Sequence, residues 1–361
     1  MKISRVPARR SAVGRRDFVK MGIGAAAAMS VLNAGTAWTQ GVPWWDARPV
    51  KPGPPDAIDI HAHWAPEVYF KTVAEFGHPI KNIDPLNFDL DMRRKWMDER
   101  GVKMHVLTLN GGMLWEAVTP EQGLQLAQIF NDAGPQAHAA FPDRFVSSIE
   151  LPIKDATMSL KELNRVAGRP GLRAVHLPDS MDRHGYLFDP PFAPVLARIE
   201  ELGLPIIFHQ MNGDPNVFTG AIAPGLEPTY EHAELASGFI TTGTLDKYPK
   251  LEIVLPHAGG AFPYQAARIE HFLYHMRGAQ VNLQHPFREY LRRFHYDYLT
   301  YYPEGLRFLI SLVGSDRIVI GTDSPDAKDI LYPSAVVDQM KLPALDRDRI
   351  VKGNAMRLFH V

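Results

Sequence analysis

Eight short β-rich runs, each separated from the next by room for a helix, constrain this chain more than any other feature. They occupy residues 58–63, 104–109, 145–151, 172–177, 205–209, 252–257, 296–300 and 317–322. Between them, apolar residues recur at three and four over 90–100, 120–140, 156–167, 190–202, 261–276 and 304–313. Alternation of this kind belongs to the α/β class and demands a parallel sheet, and eight units close as a (β/α)8 TIM barrel. A doubly wound open sheet alternates in the same way, but its first strand usually enters a glycine-rich phosphate loop. Here the first strand enters His61-Ala-His-Trp64 instead. The longest stretch without periodicity, 210–231, follows the fifth strand, where a barrel enzyme places a lid.

The 361 residues are 45% hydrophobic, enough for a large core, and they contain no cysteine. Disulfides, thiolate zinc sites and a cysteine nucleophile are thereby excluded, so any metal must bind through His, Asp or Glu. Residues 1–40 carry seven Lys/Arg and one acid, Asp17, which leaves 32 basic against 39 acidic residues in the remainder. A mildly acidic body without a basic stripe argues against a nucleic-acid binder.

The basic N-terminus runs through Gly14-Arg15-Arg16-Asp17-Phe18-Val19-Lys20 into the small apolar run 21–29, then to Gly35-Thr36-Ala37. This three-part order resembles a twin-arginine export signal, which implies a periplasmic or exported protein cleaved between Ala37 and Gly41. The apolar part is too short to span a membrane, so no stable membrane insertion is expected after cleavage. Residues 41–57 are too rich in proline for a helix or central strand and read as a linker, with the catalytic domain covering 58–361.

Asp59-Ile60-His61-Ala62-His63 places two imidazoles two residues apart on a strand, so both project to one side and can converge on one ion. The fifth, sixth and eighth runs end in His209, His257 and Asp323. All five polar groups then gather at the mouth where barrels keep their active sites.

With these residues in place, the chain resembles the amidohydrolase superfamily, in the branch of aminocarboxymuconate-semialdehyde decarboxylase and related aromatic-acid decarboxylases. The resemblance runs from about Ile58 to Phe359 through Ile58-Asp-Ile-His-Ala-His63, Met97-Asp-Glu-Arg-Gly-Val102, Phe141-Pro-Asp-Arg-Phe145, Lys247-Tyr-Pro-Lys-Leu251, His257-Ala-Gly-Gly-Ala-Phe-Pro263, Gly321-Thr-Asp-Ser-Pro325 and Gly353-Asn-Ala-Met-Arg-Leu-Phe359. It implies one divalent ion, zinc or else manganese, held by His61, His63, His209 and Asp323. His257 becomes the general acid/base on a metal-activated water, with Asp323 able to return a proton. It also implies two arginines that grip a small carboxylic acid substrate, matched here by Arg93 and Arg268, one of them lent by the neighbouring subunit of a homodimer. The fourth run, Leu172-Arg-Ala-Val-His-Leu177, lacks the lysine that bridges two metals elsewhere in the superfamily, so one metal is expected.

The reaction expected first is decarboxylation of an aromatic or unsaturated acid. A hydrolase of a lactone, ester or amide, or a hydratase, would use the same site. A non-catalytic exported binding protein needs no His257 beside a complete ligand set. His176 stands open between a ligand or substrate contact and a structural histidine, and Trp64, Trp115 and Phe262 between the substrate face and the core. His209-Gln-Met-Asn-Gly-Asp214 and Ser324-Pro-Asp-Ala-Lys328 replace the aromatic residues common in relatives with polar ones.

Overall fold

The computed structural model describes residues 55–109, 115, 117–180, 186–210, 223–276, 282–326 and 332–361. The expected export signal and residues 41–54 of the expected linker lie outside these residues.

Eight parallel strands run in the order β1 to β8: Ala57–His63, Val102–Thr108, Phe145–Glu150, Leu172–Pro178, Ile206–His209, Ile253–Leu255, Phe294–Asp297 and Ile318–Val319. Each pairs with its sequence neighbour. Bridges from Asp59 to Ile320 and from Ala62 to Ser324 join the first strand to the chain beyond the last and close the barrel. The helices are, in chain order, α1 (Glu67–Glu75), α2 (Leu90–Arg100), α3 (Pro120–Ala140), α4 (Ala156–Val166), α5 (Ala193–Leu202), α6 (Ala223–Thr241), α7 (Thr244–Lys247), α8 (Phe262–Met276), α9 (Phe287–Tyr290), α10 (Pro303–Val313), α11 (Pro333–Gln339), α12 (Ala344–Asp348) and α13 (Asn354–Phe359).

Local signals explain several boundaries. Asp89 caps α2 by accepting from Met92 N at 2.9 Å, and the helix stops at Gly101, whose φ of 71° favours glycine. Thr119 and Gln122 form a reciprocal capping box on α3, with Pro120 in its first turn. Outward-facing strand residues such as Leu107, Val175, Phe208 and Leu255 join the helices in the main core. Ile58, Ile60, Val106, Val146, Ala174, Ile207, Val254 and Val319 fill the barrel interior, which α13 covers with Leu358 and Phe359.

A bulge in β1 decides where the site forms. Asp59 pairs with His105 and Ala62 with Leu107, so three residues of β1 advance while β2 advances two. Strict alternation from Ile58 and Ile60, which face inward at the base, would send His61 and His63 to the helix side. The extra residue reverses that parity.

Two expectations need correction. The seventh strand occupies Phe294–Asp297 rather than 296–300, because Phe294 pairs with Ile253 and the chain turns after Asp297, whose Oδ1 accepts from Leu299 N at 3.1 Å. The aperiodic stretch 210–231 is helical from Ala223 onward. Pro224 and Pro228 obscured a pattern that continues in the buried Leu235, Ala236, Phe239 and Ile240. Residues 211–222 of the expected lid lie outside the described residues.

Candidate metal centre and active site

The barrel mouth brings together His61, His63, His209 and Asp323, with one potential ligand atom from each lying within 4.8 Å of the others. Ring centroids are 4.9 Å apart for His61 and His63, 5.1 Å for His61 and His209, and 4.8 Å for His63 and His209. Each imidazole has its Nδ1 occupied by an acceptor: Asp297 Oδ2 at 3.0 Å from His61, Leu109 O at 3.0 Å from His63, and Gln210 O at 3.2 Å from His209. Protonation of Nδ1 leaves the three Nε2 lone pairs for an ion, and His209 Nε2 is buried with no partner among the described residues. Three neutral nitrogens and one carboxylate suit a borderline divalent cation, so the residues fit the implied group.

In the metal-free cluster the carboxylates favour a positive charge at the place an ion would occupy. Burial pushes His61 down, but the Asp323 and Asp297 carboxylates outweigh it and raise the group to about 10. Burial, helped by the neighbouring imidazoles, holds His209 well below the usual histidine value. Burial opposes ionisation of Asp323, yet His61, His257 and His63 keep it well below the carboxylate range.

His257 lies two residues beyond β6, its Nε2 3.7 Å from Asp323 Oδ2 and its ring 5.1 Å from that of His61. His257, Ala258 and Asp323 all have positive φ, at 51°, 56° and 58°. Left-handed backbone at three non-glycine residues is costly, and here it surrounds the ligand group. Asp297 supports that turn by accepting from Ala258 N at 2.8 Å. Gly321, on the inner side of the closing segment, has no room for a Cβ, which would come within 2.8 Å of the Cβ atoms of Asp297 and His61.

The two expected arginines sit in different surroundings among the described residues. Arg93 is buried; Nε donates to Leu86 O at 3.0 Å, Nη1 meets His105 Nδ1 at 3.2 Å, and Nη2 donates to His63 O and Leu86 O. Its guanidinium braces the strand beneath His63. Arg268 is on the exposed side of α8, stacked 4.6 Å from the Phe272 ring.

His176 donates through Nδ1 to Glu150 Oε1 at 2.9 Å, and its Nε2 has no partner among the described residues. Trp64, Trp115 and Phe262 are buried members of the main core, Trp64 against Phe130 and Phe262 against Phe294. Asp59 accepts from Thr322 N at 3.0 Å and Thr322 Oγ1 at 2.6 Å, and so ties β1 to the segment carrying Asp323.

Sequence reasoning missed Asp297, Asp179 and His232. Asp297 follows Phe294-His-Tyr at the end of β7, and Asp179 follows β4 directly. His232 Nε2 is 2.9 Å from His257 Nδ1, and the Asp179 carboxylate lies against His232 Nδ1. Only the unrecognised α6 brings His232 into range.

The Amidohydrolase family model matches residues 58–361. Among curated relatives, 2-amino-3-carboxymuconate-6-semialdehyde decarboxylase of Dictyostelium discoideum is 26% identical over 326 residues, covering 83% of this chain and 90% of the relative. Gamma-resorcylate decarboxylase of Rhizobium sp. (strain MTP-10005) is 27% identical over 327 residues, covering 84% and 94%. Among solved structures, 5-carboxyvanillate decarboxylase from Sphingomonas paucimobilis superposes with a TM-score of 0.75 at 24% identity, covering 85% of this chain and 99% of that one. A dihydroxybenzoic acid decarboxylase from Polaromonas sp. JS666, with bound manganese and 2-nitroresorcinol, gives 0.72 at 24%, covering 84% and 96%.

Proposed function

Since the chain belongs to the amidohydrolase family, we propose that it is a metal-dependent carboxy-lyase that removes carbon dioxide from an aromatic or unsaturated carboxylic acid. The observation that carries this reading is the convergence of His61, His63, His209 and Asp323 with His257 at their edge. The decarboxylase relatives supply the reaction class.

His61, His63, His209 and Asp323 would hold one divalent ion. Zinc is the choice their imidazole-rich donor set favours, and manganese is the ion in the Polaromonas structure. When bound, the ion supplies Lewis acidity that polarises a substrate oxygen or lowers the pKa of a water. Decarboxylation replaces a carbon–carboxylate bond with a carbon–hydrogen bond, so one proton must reach the ring carbon as carbon dioxide leaves. Burial pushes His257 below the usual histidine value, which leaves it neutral and able to take a proton at Nε2. Asp323, 3.7 Å away, is the group positioned to exchange that proton.

Arg268 has the exposure needed to reach a neighbouring copy, which is consistent with a homodimer whose subunits share arginines. The sequence pattern of residues 14–37 supports export to the periplasm.

The test is to load the purified chain with zinc or manganese and supply 2,6-dihydroxybenzoate, 5-carboxyvanillate and related hydroxybenzoates. The expected result is one carbon dioxide released per acid consumed, with turnover abolished in His257→Gln while metal content stays unchanged. Hydrolysis of a lactone or ester panel, with no carbon dioxide from any acid, would overturn the carboxy-lyase in favour of a hydrolase on the same site.

A further inference from the structure

We infer that Asp179 and His232 are positioning residues that fix the hydrogen-bonding pattern of the His257 ring, so that its Nδ1–H is directed at His232 and its bare Nε2 faces Asp323 and the ligand group. The two groups come from separate elements. Asp179 is the first residue after β4 and is anchored by its backbone N–H on His209 O at 2.9 Å. His232 is on α6, which reaches the His257 turn because Gly260 has no Cβ there; one would stand 2.4 Å from Thr229 Cα. Ala261 N donates to Thr229 O at 2.9 Å and secures the contact.

The chain of contacts leaves little freedom. His232 stacks on His257 with ring centroids 5.1 Å apart and 16° between planes, and both Asp179 and His232 are buried. A neutral imidazole has one donor and one acceptor nitrogen. Burial holds His232 down to about 3, so it is neutral at any ordinary assay pH. The Asp179 carboxylate lies against His232 Nδ1, the contact that assigns the single proton of His232 to that nitrogen. With its proton on Nδ1, His232 must accept at Nε2, and among the described residues the group at hydrogen-bond distance from that atom is His257 Nδ1, at 2.9 Å. His257 therefore donates there and keeps its Nε2 lone pair toward the site. A buried aspartate holding a catalytic imidazole in one tautomer is a known device; here a second imidazole stands between them.

The consequence for turnover rests on the function proposed above, whereas the proton pattern does not. The test uses the full chain, zinc-loaded and labelled with 15N-histidine, and reads histidine tautomers by two-bond 1H–15N NMR, with the His257 signals assigned by their loss in His257→Gln. Both rings are expected to be protonated on Nδ1. His232→Phe keeps the stacked ring without its nitrogens; it should erase the hydrogen-bonded Nδ1–H signal of His257. On 2,6-dihydroxybenzoate it should lower kcat by about tenfold or more, within the range for a misaligned acid–base group, with KM and metal content little changed. His232→Gln, which offers an amide oxygen as acceptor, should recover most of the loss. If His232→Phe does not fold, Asp179→Asn reads the same link, because an amide N–H facing His232 Nδ1 would reverse the pattern along the chain. His257 protonated on Nε2 in the parent, or a His257 signal and kcat that ignore His232→Phe, would overturn the inference. A parent that shows the Nδ1 pattern but decarboxylates nothing would support it and count against the carboxy-lyase.

Discussion

Nδ1 of His61 lies 3.0 Å from Oδ2 of Asp297, and the other oxygen of the same carboxylate holds Ala258 N at 2.8 Å. One side chain on β7 thus orients a proposed metal ligand from β1 and the turn that carries His257. Asp297→Asn should weaken divalent metal binding by about 10- to 100-fold, the usual cost of losing the outer carboxylate of a ligating histidine. Competition against a chromophoric chelator measures it, and an affinity within twofold of the parent would show that Asp297 does not orient His61.

Elemental analysis of the purified chain should find about one zinc or manganese per chain, as a single closed donor group requires. The His61→Ala/His63→Ala double variant should lose it while its far-ultraviolet circular dichroism keeps the barrel signature. Metal retained in that variant would move the centre elsewhere.

Gly260→Ala should lower thermal stability and disturb the site together. Its φ of 57° already disfavours a side chain, and the added Cβ would meet the Thr229 backbone at 2.4 Å. Backbone on both sides leaves no flexible group to move aside, so a loss of roughly 2 kcal/mol or more is expected. A melting temperature equal to the parent's would contradict this close approach.

Acid should unfold the barrel partly through Glu252. Burial opposes its ionisation, but His295, Arg357 and Arg317 bring it down to about 2 from 4.5. A depressed carboxylate contributes stability that is complete above the unfolded value near 4.5 and disappears as pH falls toward 2. Glu252→Gln should therefore reduce stability at neutral pH and flatten its decline between those limits, measured by denaturant titration at a series of pH values. An unchanged acid slope would remove Glu252 from the account.

Much of the site was legible because its chemistry is local. His61 and His63 announce themselves by spacing, and His209 closes an apolar strand. His257 and Asp323 were placed at strand ends, although β6 stops at Leu255 and β8 at Val319, so both lie on connecting segments with left-handed backbone. Arg93 illustrates the opposite case. It stands first in the run Arg93-Arg94-Lys95, whose residue types say nothing of which way each side chain turns, yet Arg93 turns under His63 and is buried there.

The sequence by itself determined the alternation that makes a barrel, the absence of thiol chemistry, and the placing of polar groups at or just after strand ends. These follow from residue type and short-range periodicity, which the backbone imposes on any strand or helix. Only the tertiary structure decided that a bulge turns His61 and His63 inward, that Asp297 serves two elements, and that Asp179 and His232 stand behind His257. Those relationships join residues separated by tens to hundreds of positions, and their register depends on barrel closure and on how closely α6 can approach a glycine turn.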